Sequence, residues 1–194
     1  FNSNNTRGDN NMHILDGGIV RPAYREAYIY SLLAKAFENK NFDIRIQPIV
    51  SKASGVINGG EVLLRLNDEL TNSFFDAGEF IPIASKHSSM GRFTNIMIEQ
   101  IGNLYKTYGA TIFRSGFLDR ISLNVDSIYF QNDQFLNDMQ AALLEYNFAK
   151  GFINFELNEA DIASNVEVIR EASRKIKDLN INLVCDNYTG KDIS

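Results

Sequence analysis

Four oxygen-bearing side chains, Glu61, Asn124, Glu156 and Asp186, stand toward the ends of apolar runs and are spaced 63, 32 and 30 residues apart. A βα unit takes roughly 30 residues, so these intervals suit successive strands of one sheet. Side chains alternate across a strand. On that rule Ile121, Leu123 and Val125 oppose Ser122 and Asn124, and Ile153, Phe155 and Leu157 oppose Asn154, Glu156 and Asn158. Ile181, Leu183 and Cys185 likewise oppose Asn182, Val184 and Asp186, and Val62, Leu64 and Leu66 oppose Glu61, Leu63 and Arg65. Each strand then has an apolar face for packing helices and a second face that turns polar toward its C-terminal end. Glu61, Arg65, Asn124, Glu156 and Asp186 are predicted to share one space. Three carboxylates and an amide oxygen gathered there repel one another and lose hydration unless a cation or a dense set of donors compensates. Oxygen-only ligands suit Mg²⁺, Mn²⁺ or Ca²⁺ better than Zn²⁺, and both histidines, His13 and His87, fall outside the strands. Arg65 offers a fork that can hold a phosphate beside such an ion, although Glu79 or Asp68 gives it a structural salt bridge as the alternative. The plainer reading of the whole set is a solvated barrel mouth held by hydrogen bonds.

The elements that must position these residues are strands near 44–50, 60–66, 120–126, 151–158 and 181–186, with helical patterns between them. Such alternation implies a largely parallel sheet or barrel, whose C-terminal rim is where sites are built. Only Ser51 to Gly59 joins the first two strands, with Gly55 and Asn58 as turn residues, so that pair is predicted to be antiparallel. Pro22 opens a helix over 21–39 in which Tyr28, Leu32, Leu33 and Phe37 recur at helical spacing. Ser164 and Glu167 have capping-box spacing ahead of Ile169, Ala172, Ile176 and Leu179. Residues 1–20, rich in Asn and Gly, read as a linker or tail, and 21–194 as the barrel domain.

With 194 residues, 44% hydrophobic and 22% charged, the chain can bury one globular core. Its formal charge of -5 and pI near 5.1 exclude the basic footprint of a nucleic-acid polymer binder. The single cysteine, Cys185, excludes an intrachain disulfide and a Cys-rich zinc site and fits a reducing compartment. No apolar run approaches the roughly 20 residues that span a bilayer. A cytoplasmic domain is expected, with membrane anchoring left to other parts of a longer parent protein.

The stretch Gln47-Pro48-Ile49-Val50, a turn, and Gly60-Glu61-Val62-Leu63-Leu64-Arg65 resembles the start of an EAL domain, with valine for the family's middle alanine. Glu79-Phe80-Ile81-Pro82-Ile83-Ala84, Ser122-Leu123-Asn124-Val125, Phe155-Glu156-Leu157-Asn158-Glu159 and Val184-Cys185-Asp186-Asn187-Tyr188 follow in the family's order and spacing. The resemblance implies a TIM-like (β/α) barrel with an antiparallel first strand. It also implies hydrolysis of one phosphodiester bond of cyclic di-GMP to pGpG with two Mg²⁺ or Mn²⁺ ions. Carried over by position, Glu61, Asn124, Glu156 and Asp186 are metal ligands, and Glu61, Glu156, Asp186 and Asn187 are the catalytic positions. Gln47 lines the site, Leu63 lies against the ligand, Arg65 grips a phosphate and Glu159 is a further ligand contact.

Several departures from the family pattern qualify that implication. The paired aspartates of the family read Asp186-Asn187, and the turn after them reads Tyr188-Thr189-Gly190. The family's further lysine and glutamate belong to strands beyond Ser194, so the barrel is expected to be incomplete in this chain. Completion by a second copy, giving a homodimer, is the alternative. The function expected is a degenerate EAL module that binds cyclic di-GMP or a partner protein without efficient hydrolysis. The runner-up is a working phosphodiesterase that tolerates Asn187, and a third reading is an unrelated metal-dependent barrel. A diguanylate-cyclase-like domain ahead of Phe1 fits the tandem arrangement of the family.

Overall fold

The computed structural model describes residues 17–86, 90–113 and 118–186. A long helix α1 (Gly17–Asn39) leads into β1 (Phe42–Val50), β2 (Ile57–Asp68) and a short β3 (Ser73–Asp76). Helices α2 (Ala77–Ser85) and α3 (Met90–Tyr108), with a π turn over Gly109–Phe113, connect to β4 (Ile121–Asn124). A 3-10 turn (Ser127–Gln131) and α4 (Asp133–Tyr146) lead to β5 (Ile153–Asn158). The last described elements are α5 (Glu159–Ser164), α6 (Val166–Asp178) and β6 (Asn182–Asp186). The strands form one sheet in the order β1-β2-β4-β5-β6, with β3 paired to β2. β1 and β3 are antiparallel to β2, whereas β2, β4, β5 and β6 run parallel. This is an open arc of a TIM-like barrel with its first strand reversed, as the short connection after Val50 requires.

The pleat sorts the core from the site. Val62, Leu64 and Leu66 are buried under the helices, while Glu61, Leu63 and Arg65 are half-buried on the opposite face. Ile121, Leu123, Ile153, Phe155 and Leu157 extend the buried layer across β4 and β5. Ser122 and Asn154 are buried as well, so the lower inner layer is polar but closed, and Asn154 accepts a hydrogen bond of 2.8 Å from the Asn182 amide. Phe37, Phe42, Phe80 and Phe93 pack with ring centres 5.1 to 6.2 Å apart and join α1, β1, α2 and α3.

Three local expectations differ from the structure. Helix α1 begins at Gly17, four residues before 21, and carries Pro22 within its second turn, where the missing N–H removes one helical bond without ending the helix. Ser164 is not an N-cap: it closes α5, its hydroxyl donating to the Ala160 carbonyl at 2.8 Å. Asn165 takes the N-cap position of α6, and its amide donates to Asp161 instead of capping the helix. Strand β3 was not anticipated, because four residues are too few to show a period, although Asn72 with φ 51° marks the turn that returns it to β2. Among the described residues no helix is long and apolar enough to cross a membrane.

The helical layer behind β4 and β5 is closed by a glycine. A Cβ on Gly102 of α3 would stand 2.3 Å from the Tyr146 ring of α4. Gly102→Ala should therefore lower unfolding stability by about 1 to 3 kcal/mol through overpacking. Urea denaturation checks this, and an unmoved midpoint rejects it.

Candidate functional site

Residues paired in register share a face of the sheet, so the ladder fixes what the site contains. Gln47 stands opposite Glu61, Glu61 beside Ser122, Asn124 beside Glu156, and Asn158 beside Asp186. Glu61, Asn124, Glu156 and Asp186 thus lie on one side of the arc, toward the C-terminal ends of the parallel strands. Gly60 permits the close approach of β1 next to Glu61, since a Cβ there would lie 2.4 Å from Ile46 Cγ2.

The side chains on this face are coupled. Asn124 donates its amide to Glu61 Oε1 at 2.7 Å. Burial lifts the Glu156 carboxyl above the ordinary glutamate range, a hydrogen bond with the Ser122 hydroxyl offsets part of the rise, and the Glu61 and Asp186 carboxylates push it further up. Hard oxygen donors under mutual repulsion fit a divalent cation in kind. Among the described residues, however, no three His, Cys, Asp or Glu side chains are drawn together closely enough to hold one. For Asn124 to join as a ligand its amide must also turn its carbonyl oxygen toward the ion. The donors are present and aligned but not preassembled.

Arg65 is held by its own hairpin. Its Nη1 donates to the Leu64 carbonyl at 3.0 Å, and its buried Nε lies 2.9 Å from Asp76 Oδ1, an ion pair in which the N–H is not aligned on the oxygen. The carboxylate beside it is thus Asp76, the residue across the β2–β3 ladder, and neither Glu79 nor Asp68. Glu79 pairs with Arg25 of α1, and Asp68 accepts from Tyr28, Thr71 and the Leu70 N–H. Asp76 is largely solvent-exposed, so the pair sits at the rim and is open to competition.

Of the remaining expected contacts, Gln47 is exposed on the site face, and Leu63 borders a small apolar pocket formed mainly by Val62, Leu64, Phe93 and Met97 between the sheet and its helices. The chain turns into α5 at Asn158, and Glu159 in its first turn is buried at 5% exposure. Asn187 lies outside the described residues.

The structure also brings in residues the sequence reading passed over. Arg45 stands across from Leu63 and Phe74 across from Asn67, both on the site face. Asp161 accepts hydrogen bonds from the Ser127 N–H at 2.9 Å, the Ser127 hydroxyl at 2.8 Å and the Asn165 amide at 2.8 Å. It thereby ties the loop after Asn124 to the helix after Glu156. Period-two counting back from Gln47 was enough to find Arg45, whereas Phe74 needed the unforeseen strand.

The profile of the EAL domain family matches residues 32–192. Comparison with curated protein sequences gave no match. Among solved structures, the chain is similar to the EAL domain of FimX from Pseudomonas aeruginosa bound to c-di-GMP. The identity is 18% and the TM-score 0.68, over 82% of this chain and 62% of that one. It is also similar to the PaMucR phosphodiesterase in complex with c-di-GMP, at 17% identity and a TM-score of 0.74, over 86% and 66% of the two chains. A third is the S helix-GGDEF-EAL portion of LapD from Vibrio cholerae bound to c-di-GMP, at 15% identity and a TM-score of 0.70, over 87% and 40%. The chain spans less than two thirds of the length of each.

The raised carboxyl of Glu156 has a measurable consequence for stability. A carboxyl whose folded pKa lies above its unfolded value contributes stability below the ordinary glutamate range, about pH 4.3, and loses it as pH rises through the folded value. Glu156→Gln removes that loss. In metal-free buffer the variant should match the wild type near pH 4 and melt at a higher temperature near pH 7. Equal melting temperatures at both pH values reject the argument.

Proposed function

The chain belongs to the EAL domain family, and from that premise we propose that it is a cyclic di-GMP signalling module that binds the nucleotide without efficient hydrolysis. The observation that carries the reading is the division of one sheet face. Glu61, Asn124, Glu156 and Asp186 supply oxygen donors on β2, β4, β5 and β6, and Arg65 supplies a guanidinium two turns of the pleat along β2 from Glu61. Such a face suits a phosphodiester that meets cations at one side and a planar donor at the other.

In this reading Arg65 orients a phosphate, exchanging its rim contact with Asp76 for the ligand, and Leu63 lies against the bound nucleotide. Glu61, Asn124, Glu156 and Asp186 would hold Mg²⁺ or Mn²⁺, whose chemistry when bound is to lower the pKa of a water and stabilise charge on phosphorus. Asn187, the residue next to Asp186, is neutral where the family has a second aspartate. It lacks the anionic oxygen that offsets repulsion between two divalent ions, which favours binding over turnover. An active phosphodiesterase remains the second reading, supported by the intact order of Glu61, Asn124, Glu156 and Asp186. The same proposal places the domain in the cytoplasm, within a longer protein. There a diguanylate-cyclase-like domain on its N-terminal side would be joined through α1, as GGDEF precedes EAL in the LapD chain named above.

The test is to titrate cyclic di-GMP calorimetrically into the full-length domain and to assay pGpG formation with saturating Mg²⁺ or Mn²⁺. Wild type should bind with little product, and Asn187→Asp should raise the rate on the order of tenfold or more, the scale of losing one metal partner. Arg65→Ala should weaken binding by about 1 to 3 kcal/mol. Brisk pGpG production by wild type would overturn the degenerate reading in favour of the active one.

A further inference from the structure

Arg45 has no role in the site as built so far, yet it stands on the same face, directly across β1 and β2 from Leu63. Its guanidinium carbon lies 5.6 Å from the centre of the Phe74 ring, and that of Arg65 lies 5.7 Å from the same centre. Phe74 is 47% exposed and faces the cavity, because it pairs with Asn67, two residues beyond Arg65 on β2. One exposed aromatic ring is therefore within cation–π range of two guanidiniums on the site face. The two differ in what neutralises them. Arg65 meets Asp76 at 2.9 Å, whereas among the described residues no carboxylate forms an ion pair with Arg45. Asp43 and Glu61, the acidic positions that flank it on this face of the β1–β2 ladder, are not its partners.

A ring quadrupole offsets only part of the repulsion between two guanidiniums. An anionic group at each satisfies both. We propose that Arg45 is a second phosphate-binding cation of this site, and that Phe74 holds Arg45 and Arg65 apart so that each takes a different anionic group of one ligand. The inference rests on the cyclic di-GMP reading. A cyclic dinucleotide carries two phosphodiester anions on one ring, and a single guanidinium fork pairs well with only one of them. The chemical class selected is thus a ligand with two separated phosphates.

Calorimetric titration of cyclic di-GMP into the full-length domain, at low and at high salt, tests this with wild type, Arg65→Ala, Arg45→Gln, Arg45→Lys and Phe74→Ala. Arg45→Gln should weaken binding about tenfold at low salt, and the loss should shrink as ionic strength screens the pair. Arg45→Lys keeps the charge without the fork and should recover part of the loss, which also serves should the Gln variant fold poorly. Phe74→Ala should lose affinity in the same direction by a smaller factor. If wild type binds and Arg65→Ala weakens it while Arg45→Gln and Arg45→Lys bind as wild type, the Arg45 assignment falls and the cyclic di-GMP reading stands. A loss in Arg45→Gln that does not change with salt also overturns the assignment. Absence of binding by wild type overturns the reading and this inference with it.

Discussion

Strand β2 is hydrogen-bonded to three others, β1 from Ile57 to Leu66, β4 from Gly60 to Val62 and β3 from Arg65 to Asp68, so its pleat constrains the rest of the fold. One parity of its residues, Val62, Leu64 and Leu66, anchors the helices. The other, Glu61, Leu63 and Arg65, sets the height and identity of the site face. A register slip of one residue would exchange the two sets, burying a carboxylate and a guanidinium among phenylalanines. Gly60 and the reversed β1 enforce the register from one side. On the other side, β3 carries Asp76 opposite Arg65 and Phe74 opposite Asn67. Helix α1 reinforces the same hairpin from outside, through Tyr28 on Asp68 and the Arg25 guanidinium 5.2 Å from the centre of the Phe75 ring.

What the sequence could show follows from which signals are periodic. The alternation in Ile121 to Val125, Ile153 to Asn158 and Ile181 to Asp186 was strong enough to assign faces, and the ladder puts Glu61, Asn124, Glu156 and Asp186 on one side as that alternation implied. The short Ser51–Gly59 connection likewise dictated the antiparallel first pair. Where periodicity ends, the reading ends. Glu159, a contact implied by the family resemblance alone, stands beyond the strand terminus in the first turn of α5, where the pleat assigns no face. Ser164 has the side chain of a cap but sits one residue before the break between α5 and α6, where Asn165 and Asp161 have formed their own hydrogen bonds. The Asp76 partner of Arg65 depended on a four-residue strand with no pattern of its own, so the competing carboxylates were sought at Asp68 and Glu79, which are engaged elsewhere.

Net charge is a poor guide to what such a face can hold. The chain carries -5 overall, which argues against a polyanion spread over its surface but not against a small anion inside the arc. The relevant field is local, because charges separated by more than a Debye length of about 8 Å in physiological salt are largely screened. The face is divided. Burial, with a smaller push from the Glu61 and Asp186 carboxylates, lifts the Glu156 carboxyl, while the Arg45 and Arg65 guanidiniums lie against one aromatic ring. One half is rich in carboxylates and the other carries two guanidiniums, of which Arg65 is paired with Asp76. A ligand bringing phosphate to the arginines lays further negative charge toward the carboxylates, so anion binding and neutralisation of the acidic half favour each other. By linkage, whatever lowers the negative charge at Glu156, protonation or a divalent ion, tightens phosphate binding by the same factor that phosphate binding tightens it.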